Sequence, residues 1–215
     1  MTVAALPEAL LFVTPDCPHC ATVLRGLDEL EKQGLVGRVT VVDAAAHLDR
    51  AAEYGVRAVP WLRLGPFTLT GAQGVAELRQ WAGWANGEEG IASYVGHLLR
   101  QGEFPHAAAF VAADSRRLAP LLGVLTDSEA GIDIRLGVSA LLESYADTEA
   151  LRALLPRLAE LSRDDDHRVR VDACHLLGLT GSPDALAPVE ARLTDGNEEV
   201  REIAAEAMQR LEKTA

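Results

Sequence analysis

The chain has 215 residues, 48% hydrophobic and 24% charged, the proportions of a soluble globular protein with room for one large domain or two small ones. Its net charge of −12 is uneven: residues 1–88 carry 7 Lys/Arg against 10 Asp/Glu, and residues 89–215 carry 13 against 22, which is −3 against −9. Such a surface repels phosphate and shows no basic stripe, so neither nucleic acid nor an anionic membrane surface is expected as a partner.

The opening Met1–Glu8 lacks a basic segment, and the apolar run Ala9–Val13 is too short for the core of a signal peptide. No stretch reaches the length of a membrane span. If Met1 is the native start, the expected location is cytoplasmic. Ala9–Val13 reads as a buried strand, broken by Thr14-Pro15-Asp16. Cys17 opens a helical stretch in which Val23, Leu24, Leu27, Leu30 and Leu35 recur at helical spacing, ended by Gly34 and Gly37. Arg38–Asp43 is a second strand, and His47–Tyr54 a short helix closed by Gly55. Val59–Leu64 is a third strand beginning at a proline, Phe67–Thr70 a fourth, and Gly74–Trp84 a closing helix. The predicted order is β-α-β-α-β-β-α, implying a parallel core with an antiparallel edge hairpin. This domain spans 1–87, and Asn86–Gly90 reads as a short joint.

Three cysteines are too few for a disulfide-stapled scaffold. The close pair Cys17-Pro18-His19-Cys20 reads as chemistry, and the distant Cys174 as packing. Two cysteines three apart at a helix start are close enough to bond. The unpaired N–H groups and dipole there favour a thiolate. Cys17, the more exposed, is the expected nucleophile, and Cys20 the resolving thiol. Pro18 suits a first helical turn. His19 is placed to stabilise the Cys17 thiolate and so make the disulfide more oxidising. Zinc would need two further ligands at suitable spacing, and His47 and His97 are isolated, so no metal is expected.

The CPHC turn, Tyr54-Gly55-Val56-Arg57-Ala58-Val59-Pro60 and Gly71-Ala72 together resemble the thioredoxin family. The resemblance covers about the first 40% of the chain, in a minimal form without the family's extra N-terminal strand and helix. It implies that Pro60 is cis and lies beside the reactive sulfur, and that the Val59 backbone pairs with a substrate strand. CPHC resembles the motif of disulfide-forming oxidants more than that of general reductases. Two departures stand out. Asp16 occupies the place where the family usually has Trp, and a carboxylate there opposes His19. Ala9–Val13 also lacks the buried acid that assists proton transfer from the resolving cysteine.

Residues 91–215 contain an internal repeat. Leu118–Asp127, Leu154–Arg163 and Leu186–Asp195 align, and each is followed by a helix bearing Arg135, Arg170 or Arg201. Ile134, Val138, Leu141 and Leu142 match Val169, Ala173, Leu176 and Leu177, then Val200, Ala204, Ala207 and Met208. Each helix thus has one apolar stripe that only a neighbouring unit can bury. Asp127 and Asp195 are expected to cap or to pair with the repeat arginines, and Asp164–Asp166 to form a solvated turn. The pattern resembles HEAT-like repeats, with 91–114 as a capping helical pair broken at Gly102.

The expected fold is a minimal thioredoxin α/β domain followed by an all-α HEAT-like domain. The expected function is a thiol–disulfide oxidoreductase of protein substrates. Its helical arm docks the partner, another protein supplies or takes the electrons, and no cofactor beyond the cysteine pair is needed. Alternatives are a redox-sensing adaptor and a chaperone-like holdase.

Overall fold

Strand β1 (Ala9–Val13) is buried along nearly its whole length, and the first half of the chain is assembled on it. A computed structural model describes residues 5–85 and 87–214; the opening Met1–Ala4, Ala215 and Asn86 of the expected joint lie outside them. The chain divides into two units, one up to Gly90 and one from Ile91.

In the first unit β1 is followed by α1 (Cys20–Lys32), β2 (Val39–Asp43), α2 (Leu48–Glu53), β3 (Trp61–Leu64), β4 (Phe67–Thr70) and α3 (Val75–Trp84), the order that the pattern predicts. The four strands form one mixed sheet in the order β2-β1-β3-β4. Only β1 and β2 are parallel, with Leu11 opposite Val41. β3 runs antiparallel to β1, pairing Trp61 with Phe12, and to β4, pairing Leu62 with Leu69. The expected parallel core is thus a single pair, and the hairpin forms the opposite edge.

Side chains alternate across the sheet. Leu10, Phe12, Val42 and Trp61 meet Ala51 of α2 on one face. There the rings of Phe12 and Trp61 lie 5.5 Å apart, and those of Tyr54 and Trp61 5.9 Å apart. Leu11, Leu62, Leu69 and Phe67 point to the other face. α3 lies on that side, since its Trp81 ring stands 5.3 Å from Phe67. α1 packs beside it at Gly26, where a Cβ would stand 2.7 Å from Leu78 Cδ1.

α4 (Glu88–Arg100) starts in the last residues of the first unit, and the second unit continues as helix: α5 (Phe104–Ala112), α6 (Leu122–Thr126), α7 (Ile132–Glu143), α8 (Glu149–Arg152), α9 (Leu155–Leu161), α10 (His167–Leu179), α11 (Leu186–Glu190) and α12 (Glu198–Thr214). From Glu88 the expected joint is helix rather than linker, because Glu88 and Glu89 suit the positive end of α4. The repeat stripes on α7, α10 and α12 are buried as the spacing predicts, except that Met208 is only half-buried. The first helices of the repeats are shorter than the pattern suggests. Pro120 falls in a 3₁₀ turn ahead of α6, Pro156 in the first two residues of α9, and Pro183 opens a 3₁₀ turn ahead of α11. Proline removes a helical donor and clashes with the preceding turn. α8, which the pattern did not show, is the piece ahead of Pro156. Between α10 and α12, a Cβ on Gly178 would stand 2.7 Å from Ala207 Cβ, so these helices meet almost backbone to backbone.

Arginines tie each repeat to its own turn, and those of the first two repeats also reach the next one. Arg135 donates to Leu125 O and to Asp172 Oδ2, both at 2.9 Å. Arg170 donates to Asp164 O at 2.9 Å and Asp165 O at 3.0 Å, and forks onto Asp195 at 3.0 and 2.8 Å. Arg201 donates to Asp195 O at 2.8 Å and has no forward carboxylate among the described residues. Asp195 therefore pairs and Asp127 caps the turn that follows it, accepting from the Glu129 N–H at 2.9 Å, the two roles expected of these aspartates. Asp164–Asp166 is a bonded turn rather than a merely solvated one: Asp164 Oδ1 accepts from Asp166 N, and Asp166 caps α10 through Arg168 N.

The Asp195 side chain is 5% exposed, and the Arg170 guanidinium holds its carboxyl below the usual carboxylate range. A carboxyl depressed in the folded state stabilises the fold above its unfolded pKa, and that contribution is lost as pH falls through the folded value. Asp195→Asn is expected to cost about 3 kcal/mol near neutrality, since it leaves Arg170 without its carboxylate. The difference should shrink below about pH 4. Urea unfolding of both proteins across a pH series checks this.

Candidate redox site

The chain leaves the sheet after Val13 and turns through Thr14–His19. The Cys17 N–H donates to Thr14 O at 3.2 Å and closes this turn. A disulfide joins Cys17 to Cys20, with their Cα atoms 5.5 Å apart. α1 begins at Cys20, not at Cys17 as the spacing suggests. The first helical acceptor is the His19 carbonyl, which takes the N–H groups of Thr22 and Val23 at 3.1 and 3.3 Å. Pro18 and His19 therefore lie in the turn ahead of the helix instead of inside its first turn.

The first N–H of the helix, that of Cys20, points at Cys17 Sγ at 3.1 Å. Cys20 is 4% exposed, Cys17 half-buried, and Pro18 and His19 exposed. An attacking group from solvent thus meets Cys17, whose sulfur sits at the positive end of α1. The His19 side chain makes no capping hydrogen bond.

The Val59–Pro60 peptide bond is cis. Pro60 is buried and Val59 half-buried, packed on the cluster that contains Phe12 and Trp61. The pairing of Phe12 with Trp61 sends the cysteine turn and the Val59–Pro60 segment off the same end of the sheet. No backbone hydrogen bond of Val59 is seen among the described residues, which leaves its N–H and C=O open to a strand laid beside it. Gly71 N–H donates to Pro60 O at 2.9 Å and brings the loop after β4 to the same end.

Two residues at this end escape the sequence pattern. Gln73 is buried, donates from Nε2 to Thr70 O at 3.1 Å, and leaves Oε1 without a partner among the described residues. Asp43, opposite Val13 in the register, is the acid nearest β1 by pairing. Its Oδ1 accepts from Ala45 N at 2.9 Å and Ala46 N at 3.3 Å, so it shapes the loop after β2. β1 carries no acid, and Asp16 is exposed.

Cys174 is fully buried in α10, and burial pushes its thiol up to about 11. His175 beside it is exposed, with Nε2 3.2 Å from Glu143 Oε1. Among the described residues no group of three or more His, Cys, Asp or Glu is placed to hold a metal ion, and no helix is long and apolar enough to cross a membrane.

Iodoacetamide should label Cys17 first in the reduced native protein, Cys20 more slowly, and Cys174 only after unfolding, because thiolate content and access govern the reaction. Mass spectrometry of a labelling time course checks this order, and early modification of Cys174 would contradict its burial.

Comparison with curated proteins gives no match. Against protein families, residues 118–209 match the HEAT repeats. That segment starts just before α6 and ends within α12, so the match covers the three arginine-bearing helix pairs of the second unit.

Proposed function

We propose that the protein is a thiol–disulfide oxidoreductase of protein substrates, with a minimal thioredoxin fold in its first unit and a helical unit that docks the partner. The observation that carries this reading is the Cys17–Cys20 disulfide at the head of α1, with one sulfur accessible, the other buried, and the Cys20 N–H on the accessible one. The cis Val59–Pro60 bond at the same end of the sheet, and the strand order β2-β1-β3-β4, support it.

In the reducing direction the Cys17 thiolate attacks one sulfur of a substrate disulfide. The S–S bond breaks, a substrate thiolate leaves, and a mixed disulfide forms. Cys20, deprotonated, then attacks Cys17 Sγ, closing the Cys17–Cys20 disulfide and releasing the second substrate thiolate. Two electrons pass to the substrate, and its two thiolates take up protons. In the oxidising direction a substrate thiolate attacks Cys17 Sγ and the same steps run backward. The cysteines carry the electrons, and a second redox protein resets the pair. Pro18 holds the turn, His19 stabilises the Cys17 thiolate, and the open Val59 backbone takes the substrate strand beside buried Pro60. With no acid on β1 to deprotonate Cys20, the reading favours an oxidant or isomerase over a general reductase.

Mixing the oxidised protein with a reduced, disulfide-capable test protein should transfer thiol equivalents between them. Cys17→Ser should abolish the transfer, and reduced Cys20→Ser mixed with a disulfide-bearing test protein should stall at the Cys17 mixed disulfide. Unchanged thiol counts in both proteins would overturn the reading. His19→Leu should make the reduction potential more negative by about 30 mV, roughly tenfold in the exchange equilibrium, as measured against glutathione buffers.

The HEAT match over 118–209 favours a second reading, a redox-sensing adaptor. Trapping separates the two: Cys20→Ser should collect mixed disulfides with many proteins if the chain is an enzyme, and with one stoichiometric partner if it is an adaptor.

A further inference from the structure

The second helices of the repeats are in register, with Ile134, Val169 and Val200 equivalent and 35 and 31 residues apart. α10 packs against both α7 and α12. Equivalent solvent-facing positions therefore form rows that can be compared from helix to helix. On α7 the row holds Ile132 and Leu136, 72% and 64% exposed. At the positions equivalent to Leu136 and Ala140, α10 presents Val171 and His175, and α12 presents Glu202 and Glu206. Across one face the chemistry runs from apolar, through a middle row, to acidic.

A cleft of about 170 Å³ opens between α10 and α12 on this face. Leu179, Ile203 and Ala207 line it together with the polar groups of His175, Glu206 and Arg210. The two other polar groups are already engaged: His175 with Glu143 at 3.2 Å, and Arg210 with Asp147 at 3.0 Å. Glu202 and Glu206 have no ion pair among the described residues.

We propose that this face docks a basic amphipathic segment of the partner protein. Exposed Ile132 and Leu136 gain by burial against apolar side chains. A lysine or arginine lays its methylene stem on Leu179 and Ile203 in the cleft and sets its charged head on Glu206, with Glu202 beside it. An acidic segment is repelled by the α12 row, and a second copy of this chain brings the same acidic row against it. Packed helices lie about 8–10 Å apart, so α7 to α12 spans roughly 16–20 Å, the length of about 12 residues of helix. The inference rests on reading the helical unit as a docking arm and does not depend on the cysteine chemistry.

The test is fluorescence anisotropy of the full chain with three labelled helical peptides: one of Leu and Lys with an apolar face, its Leu/Glu counterpart, and a Ser/Lys peptide of equal charge without that face. The Leu/Lys peptide should bind more tightly than either of the others, and added salt should weaken it. Ile132→Ser with Leu136→Ser, and separately Glu202→Gln with Glu206→Gln, should each weaken it at least about tenfold. All four positions are exposed, and thermal melts confirm that the variants fold. Absence of binding, equal binding of the Leu/Glu or Ser/Lys peptide, or insensitivity to either pair overturns the proposal. Cys17→Ser with Cys20→Ser should leave Leu/Lys binding unchanged, so failure of the docking face and failure of the redox reading are read separately.

Discussion

Antiparallel pairing of β1 with β3 is the constraint on which the candidate site depends. With Phe12 opposite Trp61, the chain after β1 and the chain before β3 must emerge together. Neither segment is placed by its own local preference. The cysteine turn follows β1 because Pro15 and Asp16 end the strand, and Val59–Pro60 precedes β3 because a proline cannot donate to the ladder. A slip of one residue would turn Leu10 and Phe12 away from α2 and carry the whole apolar pattern to the wrong face. The aromatic contacts of Phe12, Tyr54 and Trp61 oppose such a slip and hold the two segments at one end.

The second unit is held by a different balance. Its apolar stripes are generic, and stripes of Leu, Val and Ala tolerate sliding. The arginines are not generic, because a guanidinium fork fits carbonyl and carboxylate groups in a fixed plane. Arg135 and Arg170 reach forward to different residues, Asp172 on a helix and Asp195 in a turn. The repeats are thus alike in architecture and unlike in detail. Desolvation raises the Asp172 carboxyl although Arg135 lies against it, whereas Asp195, forked by Arg170, is lowered.

Much of this was legible in the sequence, for reasons that are local. Strand and helix order followed from apolar period, and the cysteine pair from three-residue spacing. The repeat stripes followed from the recurrence of one apolar pattern. What was not legible is non-local. The start of α1 moved from Cys17 to Cys20 because the Cys20 N–H turns to Cys17 Sγ, and no periodicity encodes that choice. The Arg135–Asp172 pair joins residues 37 apart in different repeats, so it depends on how closely α7 and α10 approach. Gln73 follows Gly71-Ala72, which carried part of the resemblance, yet its burial comes from the turn between β4 and α3. The cis bond at Pro60 came from resemblance alone, since no residue pattern distinguishes it from an ordinary strand-starting proline.

Arg135 and Arg170 point one way, whereas Arg210 on α12 reaches back to Asp147 in an exposed pair. Arg135 reaches forward to the residues of α10, and Arg170 to the turn before α12, while the carboxylates that receive them belong to the later repeat. Each turn is therefore steadied by its successor, and support flows against the direction of the chain. Loss of the last repeat would deprive Arg170 of its acceptor and loosen the Asp164–Asp165 carbonyls that the same guanidinium holds. Loss of the first would leave those bonds intact. The array thus erodes from its far end inward, and the repeat that would survive longest is the one nearest the first unit in sequence.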